Sequence, residues 1–139
     1  MKILIINGPN LSMLGKREPN IYGDKSLDEI NDLIKNTFKN HKFSFFQSNE
    51  EGKIVNEILN CYESYDGIVI NPGAYSHYSI AILDALKTIN IPTVEVHISN
   101  IYKREEYRKK SVTAEGAIGI ISGFGYKSYI LGVMALEDL

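Results

Sequence analysis

The 139-residue chain has little cysteine, little net charge and no long apolar run, and each shortage excludes a class of protein. With Cys61 as its one cysteine, the chain forms no intrachain disulfide, and we expect a reducing, cytoplasmic location. The net charge of -2 gives no general attraction to nucleic acid or to an anionic membrane. No apolar segment is long enough to span a bilayer, and the N-terminus lacks a secretory signal pattern. We therefore expect neither nucleic acid nor membrane as a partner.

The chain also lacks internal repeats and low-complexity segments, so its composition indicates no boundary between domains. A length of 139 residues predicts one domain, spanning residues 1–139. A chain of this size buries roughly two thirds of its unfolded surface, which is enough for one core without disulfides.

Five apolar runs alternate with helical patterns, and the alternation predicts the fold. The runs cover residues 3–6, 43–47, 66–70, 91–99 and 117–122. Two of them, 3–6 and 66–70, have no polar alternation, which is typical of strands buried on both faces of a parallel sheet. Capping boxes at residues 26–29 and 48–51 are predicted to open the first two helices. This pattern predicts a doubly wound α/β fold, with a flavodoxin-like five-stranded parallel sheet of order 2-1-3-4-5 and helices on both faces.

This topology also predicts where a ligand binds. In doubly wound sheets, ligands lie beyond the carboxyl ends of the strands, where the strand order reverses. Residues 7–10, 71–77 and 97–99 are expected at that position. Asn10 and Asn71 follow the two strands that flank the reversal, and each taken alone is equally well explained as a turn residue. Their paired placement favours a ligand site.

Residues 7–23 form a long connection without hydrophobic periodicity, which we interpret as an active-site lid without regular structure. It carries Arg17 and Tyr22. A free tyrosine with a pKa of about 10 is ionised in roughly one molecule in a thousand at pH 7, so its use as a base requires about 4 kcal/mol of stabilisation. A nearby desolvated cation could supply a large part of this energy.

Glu95 and His97 are two residues apart on the fourth strand, so both side chains project to one face. A buried strand rarely carries a carboxylate and an imidazole without a partner or a function. One interpretation is a satisfied polar pair inside an oligomer contact. The other is an imidazole that acts as acid or base and is oriented by Glu95.

Three further positions are candidate ligand contacts, each with an ordinary alternative. His77 is predicted to open the third helix, where an anion would be favoured, although an exposed helix start explains it equally well. Asp84 lies seven residues further on the same helix face and by itself indicates only a solvated position. Arg104 and Arg108 are four apart and are predicted to share one side of a helix, where two guanidiniums suit a carboxylate. The three histidines lack metal-ligand spacing, so no metal is expected.

The ordered set of motifs resembles the type II 3-dehydroquinate dehydratases over almost the whole chain. The matching motifs are Asn7-Gly8-Pro9-Asn10-Leu11, Leu14-Gly15-Lys16-Arg17-Glu18-Pro19, Tyr22-Gly23, Asn71-Pro72-Gly73-Ala74-Tyr75-Ser76-His77, Glu95-Val96-His97-Ile98-Ser99-Asn100 and Gly123-Phe124-Gly125 with Tyr129. Residues 103–108 match less closely, because the family more often has Arg-Glu followed by Pro or a similar residue and then Phe-Arg. Residues 113–117 also depart from the family and carry no predicted site residue.

The resemblance implies reversible trans-dehydration of 3-dehydroquinate to 3-dehydroshikimate in the shikimate pathway, through an enolate and without a cofactor. It implies four catalytic residues: Tyr22 as the base, Arg17 as its electrostatic partner, Asn10 as the holder of a water at the enolate oxygen, and His97 as the acid. The implied substrate-binding residues are Asn71, Gly73, His77, Ile98, Ser99 and Arg108, with Asp84 reaching a neighbouring subunit's ligand. Glu95 and Arg104 are implied as supporting residues. A homo-oligomer, a dodecamer built as a tetramer of trimers, is also implied.

The alternative interpretation is a flavodoxin-like nucleotide- or flavin-binding module without lyase activity. The first loop argues against it, because Asn7-Gly8-Pro9-Asn10 is not a glycine-rich phosphate-binding fingerprint. A signalling receiver domain would need acidic residues at the first strand end, where the neutral Asn7 stands. A catalytically inactive scaffold is disfavoured by the presence of Arg17, Tyr22 and His97.

Overall fold

The computed structural model describes residues 1–137 and residue 139. Its centre is a five-stranded sheet in which every strand pairs in parallel with its neighbours. The strand order is 2-1-3-4-5, which confirms the predicted topology. The strands are β1 (Lys2–Asn7), β2 (Lys42–Gln47), β3 (Gly67–Asn71), β4 (Thr93–His97) and β5 (Gly119–Ser122).

Five α-helices connect the strands or follow the last one. They are α1 (Pro19–Tyr22), α2 (Leu27–Thr37), α3 (Glu51–Leu59), α4 (Ile80–Ile89) and α5 (Lys127–Glu137). Short 3-10 helices occur at Leu11–Met13, Gly73–His77, Ile101–Lys103, Glu106–Arg108 and Thr113–Gly116. In the part of the chain that the structure describes, no helix has the length and apolar character needed to cross a membrane.

The sheet separates two hydrophobic cores, because successive residues of a strand point to opposite faces. Ile3 and Ile5 of β1 join the core that α2 and α5 cover, whereas Leu4 and Ile6 join the core under α3 and α4. All four side chains are at most 1% exposed. The runs without polar alternation are thus apolar because both faces are covered by helices, as predicted.

The strand register determines which chain segments meet at the carboxyl edge of the sheet. Asn7 of β1 is aligned with Asn71 of β3, so the loops after both strands begin side by side. The Gly8 N–H donates to the Asn71 carbonyl oxygen over 2.8 Å. A Cβ atom at Gly8 would lie 2.4 Å from the Pro72 carbonyl oxygen, so any side chain there would force the two loops apart.

Two local predictions are wrong in instructive ways. The capping box at α2 is present, with Ser26 and Glu29 bonded reciprocally, but the one predicted at residues 48–51 is absent. The Glu50 N–H donates to Ser48 Oγ over 3.0 Å, so the serine caps a turn ahead of α3 and not the helix itself. The long connection after β1 also contains regular structure, because Leu11–Met13 and α1 are helical. Burial of Leu11 and Leu14 in the core holds its first half against the sheet.

Candidate active site

A cleft of about 110 Å³ opens at the carboxyl edge of the sheet, where the strand order reverses. The loops after β1, β3 and β4 contribute to it, together with the segment that carries α1, as the topology predicts. Its lining includes Asn10, Arg17, Tyr22, Asn71, Gly73, His77, His97, Ile98, Ser99, Arg104 and Arg108. Eleven of the thirteen predicted site residues therefore meet in one cleft.

Arg17 and Tyr22 form a pair at the mouth of this cleft. The Arg17 Nη2 donates to the Tyr22 hydroxyl over 3.0 Å, and Arg17 Cζ lies 4.0 Å from the centre of the tyrosine ring. A second guanidinium, that of Arg104, lies 5.1 Å from the same ring centre. Arg17 lies just before α1 and Tyr22 is the last residue of α1, so this single helical turn brings the two side chains together. Two guanidiniums therefore lie against one phenol ring.

His97 and Glu95 form a second pair, buried behind the cleft. The His97 Nε2 lies 2.8 Å from Glu95 Oε2, and both side chains point to the same face of β4, as predicted. Glu95 is 0% exposed and His97 is 5% exposed. An ionised carboxylate only accepts hydrogen bonds, so Nε2 carries the proton in this pair. The other ring nitrogen, Nδ1, is then the one left to contact a ligand.

His77 is also fixed by a hydrogen bond from one ring nitrogen, but it does not open a helix as predicted. Its Nδ1 lies 2.8 Å from the Lys110 carbonyl oxygen, which only accepts, so Nδ1 carries a proton and Nε2 is left for a ligand. His77 ends a 3-10 helix and does not open α4, because Ser79 caps α4 through its bond from the Ile82 N–H. The rings of His77 and His97 are 6.5 Å apart and nearly parallel, so both histidines face the same space.

Asn71 is fixed by a buried tyrosine that was predicted only as part of a motif. Its Nδ2 donates to the Tyr129 hydroxyl over 2.9 Å, and its Oδ1 accepts from the Gly73 N–H over 3.1 Å. The Tyr129 hydroxyl donates in turn to Asn7 Oδ1 over 2.5 Å. Complete burial raises the pKa of Tyr129, so it remains a neutral donor that ties together the ends of β1 and β3.

Asn10 is positioned through its backbone. It adopts a left-handed conformation with a φ of 68°, and its N–H donates to Asn49 Oδ1 over 3.0 Å. The small polar side chain of asparagine tolerates this conformation better than most residues do. The loop after β1 is thereby bent so that Asn10 lines the cleft.

Arg104 and Arg108 both line the cleft, but the helix predicted to carry them does not exist. The chain there forms two short 3-10 helices, Ile101–Lys103 and Glu106–Arg108. Arg104 Nη1 donates to Ser99 Oγ over 3.1 Å, and Arg108 Nε donates to Glu105 over 2.6 Å. Partial burial lowers the pKa of Arg108, but its bond to Glu105 and nearby negative charge outweigh this and raise the pKa. The Arg108 guanidinium is thus charged.

Asp84 is the predicted substrate-binding residue that the cleft of one chain does not include. It lies exposed on α4. Its predicted role concerns the ligand of a neighbouring subunit and stays a prediction. Among residues 1–137 and 139, no cluster of three or more histidine, cysteine, aspartate or glutamate side chains could hold a metal ion.

The sequence reasoning missed Ser111 and Thr113, both of which contact Glu95. Ser111 Oγ lies 2.5 Å from Glu95 Oε2, and Thr113 Oγ1 donates to Glu95 Oε1. Hydroxyl residues after a basic segment are common in loops, so the sequence offers no distinctive signal for this role. Only the proximity of the loop to β4 reveals it.

A wider pocket of about 460 Å³ adjoins the cleft on the other side of Tyr22 and Arg104. Its lining includes residues of α1 and the loop after it, Ile30 of α2, the segment that follows β4 and the turn before α5. None of the three histidines lines it. Tyr22 lines both spaces, whereas His77 and His97 line the smaller cleft, and we place the candidate active site there.

Comparison with known proteins agrees with the geometry. The family model described as "Dehydroquinase class II" matches residues 1–137. A "3-dehydroquinate dehydratase" of Clostridium botulinum strain Hall is 67% identical over 133 residues, covering 94% of this chain and 90% of the relative. One from Clostridium perfringens is 60% identical and covers 99% and 98% of the two chains. The crystal structure of a type II dehydroquinase from Butyrivibrio crossotus superposes with a TM-score of 0.97 at 48% identity, covering 99% and 98%. This chain belongs to the class II dehydroquinase family.

Proposed function

We propose that the chain is a hydro-lyase, one catalytic domain over residues 1–139, that converts 3-dehydroquinate reversibly to 3-dehydroshikimate and water. The carrying observation is that Tyr22, bonded to Arg17, lines the same cleft as His97, whose Nε2 lies 2.8 Å from the buried Glu95 carboxylate. An elimination needs a base for the proton and a separate acid for the leaving hydroxyl. The first pair suits the base and the second suits the acid.

Tyr22 acts as the base. Its phenolate removes a proton from the carbon beside the ketone, and the electron pair of that C–H bond moves onto the ketone oxygen to give an enolate. The Arg17 guanidinium, 3.0 Å from the hydroxyl, stabilises the phenolate before the transfer. Asn10 holds a water molecule against the enolate oxygen, where negative charge grows in the transition state.

His97 acts as the acid. When the enolate collapses, the C–O bond to the departing hydroxyl breaks, and the proton from His97 Nδ1 leaves with that hydroxyl as water. Glu95 supports this step because its carboxylate, 2.8 Å from Nε2, stabilises the imidazolium and fixes its orientation. The product is a conjugated enone; Tyr22 then releases to solvent the proton it removed, and His97 takes one proton from solvent, so both groups return to their starting states.

The remaining cleft residues hold the substrate. The backbone N–H groups of Ile98 and Ser99 take the carboxylate, and Arg108 contributes its charge. The hydroxyl groups of the ring are bound by Asn71 and by His77 Nε2, while Gly73 lets the backbone approach closely. Arg104 supports the carboxylate site through its bond to Ser99 Oγ.

The second half of the connection, residues 15–23, acts as a lid over this reaction, because burial of Leu11 and Leu14 holds the first half in the core. α1 carries Tyr22, and Gly15 and Gly23 adopt positive φ angles of 89° and 82° at either side of the Arg17–Tyr22 segment. Closure of such a segment excludes water and strengthens the electrostatic stabilisation of the enolate.

The assembly and cellular setting follow from the same proposal. We infer a dodecamer of four trimers in the cytoplasm, in which Asp84 of each chain reaches the ligand of a neighbouring subunit. The exposed position of Asp84 on α4 supports this role. The reaction needs no cofactor or metal, because enolate charge is stabilised by Arg17 and by the water on Asn10.

The flavin- or nucleotide-binding alternative is disfavoured by the loop after β1, because Asn7-Gly8-Pro9-Asn10 is not a glycine-rich phosphate-binding fingerprint. A flavin would also give the purified protein a yellow colour.

The direct test is to add 3-dehydroquinate to the purified protein and follow the ultraviolet absorbance of the conjugated enone. We expect turnover in the wild type, none in Tyr22→Phe with substrate binding retained, and stalled loss of the hydroxyl in His97→Ala. Full-rate turnover in Tyr22→Phe would refute the assignment of the base.

A further inference from the structure

Two hydroxyl side chains hold the buried carboxylate behind the cleft. Glu95 is 0% exposed, and Ser111 and Thr113 both donate to it, the first to Oε2 and the second to Oε1. Neither hydroxyl residue lines the cleft. The side-chain contact that links Ser111 and Thr113 to the cleft is therefore the one with Glu95 and, through it, with His97.

The proton directions in this cluster are determined by the neighbouring backbone. The Ala114 N–H donates to Ser111 Oγ over 3.2 Å, which occupies an oxygen lone pair and leaves the hydroxyl proton for Glu95. Together with His97 Nε2, the carboxylate accepts three hydrogen bonds. Two of the donors lie at Oε2 and one lies at Oε1, so both oxygens of the buried carboxylate are held.

The donors also determine how the carboxylate is rotated. Thr113 holds Oε1, so the carboxylate plane cannot turn about its last bond without losing that hydrogen bond. Oε2 is thereby presented to His97 Nε2. The ring of His97 is fixed in turn, with Nδ1 as the nitrogen left for a ligand.

The same segment of chain holds the second cleft histidine. The Lys110 carbonyl oxygen accepts from His77 Nδ1 over 2.8 Å. The Val112 N–H donates to the Ser76 carbonyl oxygen over 2.7 Å, which ties the segment to the residue before His77. Within these four residues, Lys110 bonds to His77, and Ser111 and Thr113 bond to Glu95, which in turn bonds to His97.

We propose that residues 110–113 form one positioning element for His77 and His97, in which Ser111 and Thr113 hold the Glu95 carboxylate in the orientation that His97 needs. This inference rests on the proposed function, since it assigns to His97 the protonation of the leaving hydroxyl. Ser111 and Thr113 are positioning residues and not catalytic ones, because they contact Glu95 alone among the acid–base groups.

The chain offers a matched control for a purely structural role. Thr93, on the same strand as Glu95, is also 0% exposed, and its hydroxyl donates to the Ile91 carbonyl oxygen over 2.9 Å. Thr93→Val and Thr113→Val remove the same hydroxyl from equally buried sites. A difference in kcat between the two variants therefore measures the effect of the hydrogen bond from Thr113 to Glu95.

The test compares kcat and KM for 3-dehydroquinate in Thr113→Val, Thr113→Ser, Ser111→Ala and Thr93→Val. Loss of a hydrogen bond to a charged group predicts a fall in kcat of about tenfold to a hundredfold in Thr113→Val. KM should change by less than about twofold, because no substrate contact is removed. Thr113→Ser keeps the hydroxyl and should recover most of the wild-type kcat. Thr93→Val should retain it.

A second readout does not depend on turnover. The chain has three histidines, so ¹⁵N-histidine labelling gives few signals. The His97 Nε2 resonance should move in Thr113→Val and Ser111→Ala but stay in Thr93→Val. If the wild-type protein failed to dehydrate 3-dehydroquinate, the proposed function would be refuted. The His97 resonance would still test whether residues 110–113 position His97.

The inference is overturned if Thr113→Val retains wild-type kcat and an unmoved His97 signal. It is also overturned if Thr93→Val and Thr113→Val lower kcat equally, since the effect would then be one of packing. Ser111 is only partly buried, so if Thr113→Val fails to fold, Ser111→Ala decides in its place: a lowered kcat supports the inference, and an unchanged kcat refutes it.

Discussion

Replacing Arg17 by alanine tests the electrostatic basis of the proposed mechanism. The guanidinium Nη2 lies 3.0 Å from the Tyr22 hydroxyl, and Cζ lies 4.0 Å from the ring centre. Coulomb's law at this hydrogen-bond distance, with an effective dielectric constant of about 20, gives roughly 5.5 kcal/mol of attraction to a phenolate. Both residues are only partly buried, so solvent screens part of this energy.

Hydrogen bonds to charged groups contribute about 1.5–3 kcal/mol, and this range is the expected net stabilisation of the Tyr22 phenolate by Arg17 in the presence of solvent. It converts to a loss of about 10- to 150-fold in kcat/KM for Arg17→Ala. The rise of the rate with pH should also shift to higher pH, because the phenolate has lost a stabilising charge. Arg104, 5.1 Å from the same ring centre, should preserve some activity.

The assay is the absorbance of the enone product, recorded across pH for wild type, Arg17→Ala and Lys16→Ala. Lys16 is an exposed cation in the same loop, so its removal changes the charge of the lid without touching Tyr22. We expect Lys16→Ala to behave like wild type. Equal losses in the two variants, or an unshifted pH profile for Arg17→Ala, would refute the role of Arg17 in stabilising the phenolate.

Two further predictions concern buried groups. Tyr129→Phe leaves Asn7 Oδ1 and Asn71 Nδ2 without the hydroxyl that they share. We expect the free energy of unfolding to fall by about 2–3 kcal/mol and Tm, measured by calorimetry, to drop by several degrees. We also expect a lower kcat/KM, because Asn71 loses the bond that fixes it. An unchanged Tm would show that the two asparagines find other partners. Burial, with a smaller effect from the charge of Glu57, raises the pKa of Cys61 to about 12. The thiol should therefore resist alkylation at pH 8 in native protein and react after unfolding, and rapid stoichiometric labelling of the native protein would contradict its burial.

Periodicity was sufficient to predict the sheet, because a strand covered on both faces has to be apolar throughout. Residues 3–6 and 66–70 show this directly, and the observed order is the flavodoxin-like one expected for five strands that alternate with helices. The helix at Ser26 was also predictable, since a capping box is a local motif that needs no distant contact. The similar pattern at residues 48–51 failed because the Ser48 hydroxyl bonds to the Glu50 N–H ahead of the helix.

The sequence by itself determined the fold class, the carboxyl edge of the sheet as the location of the candidate site, and the placement of Glu95 and His97 on one face of β4, because strand alternation depends only on local geometry. It also supplied the motifs that assign the family. Only the tertiary structure decided that Arg17 bonds to Tyr22, that His77 ends a 3-10 helix, and that Ser111 and Thr113 hold Glu95. These contacts depend on how irregular segments fold over the sheet, and such segments have no periodicity from which their positions can be deduced.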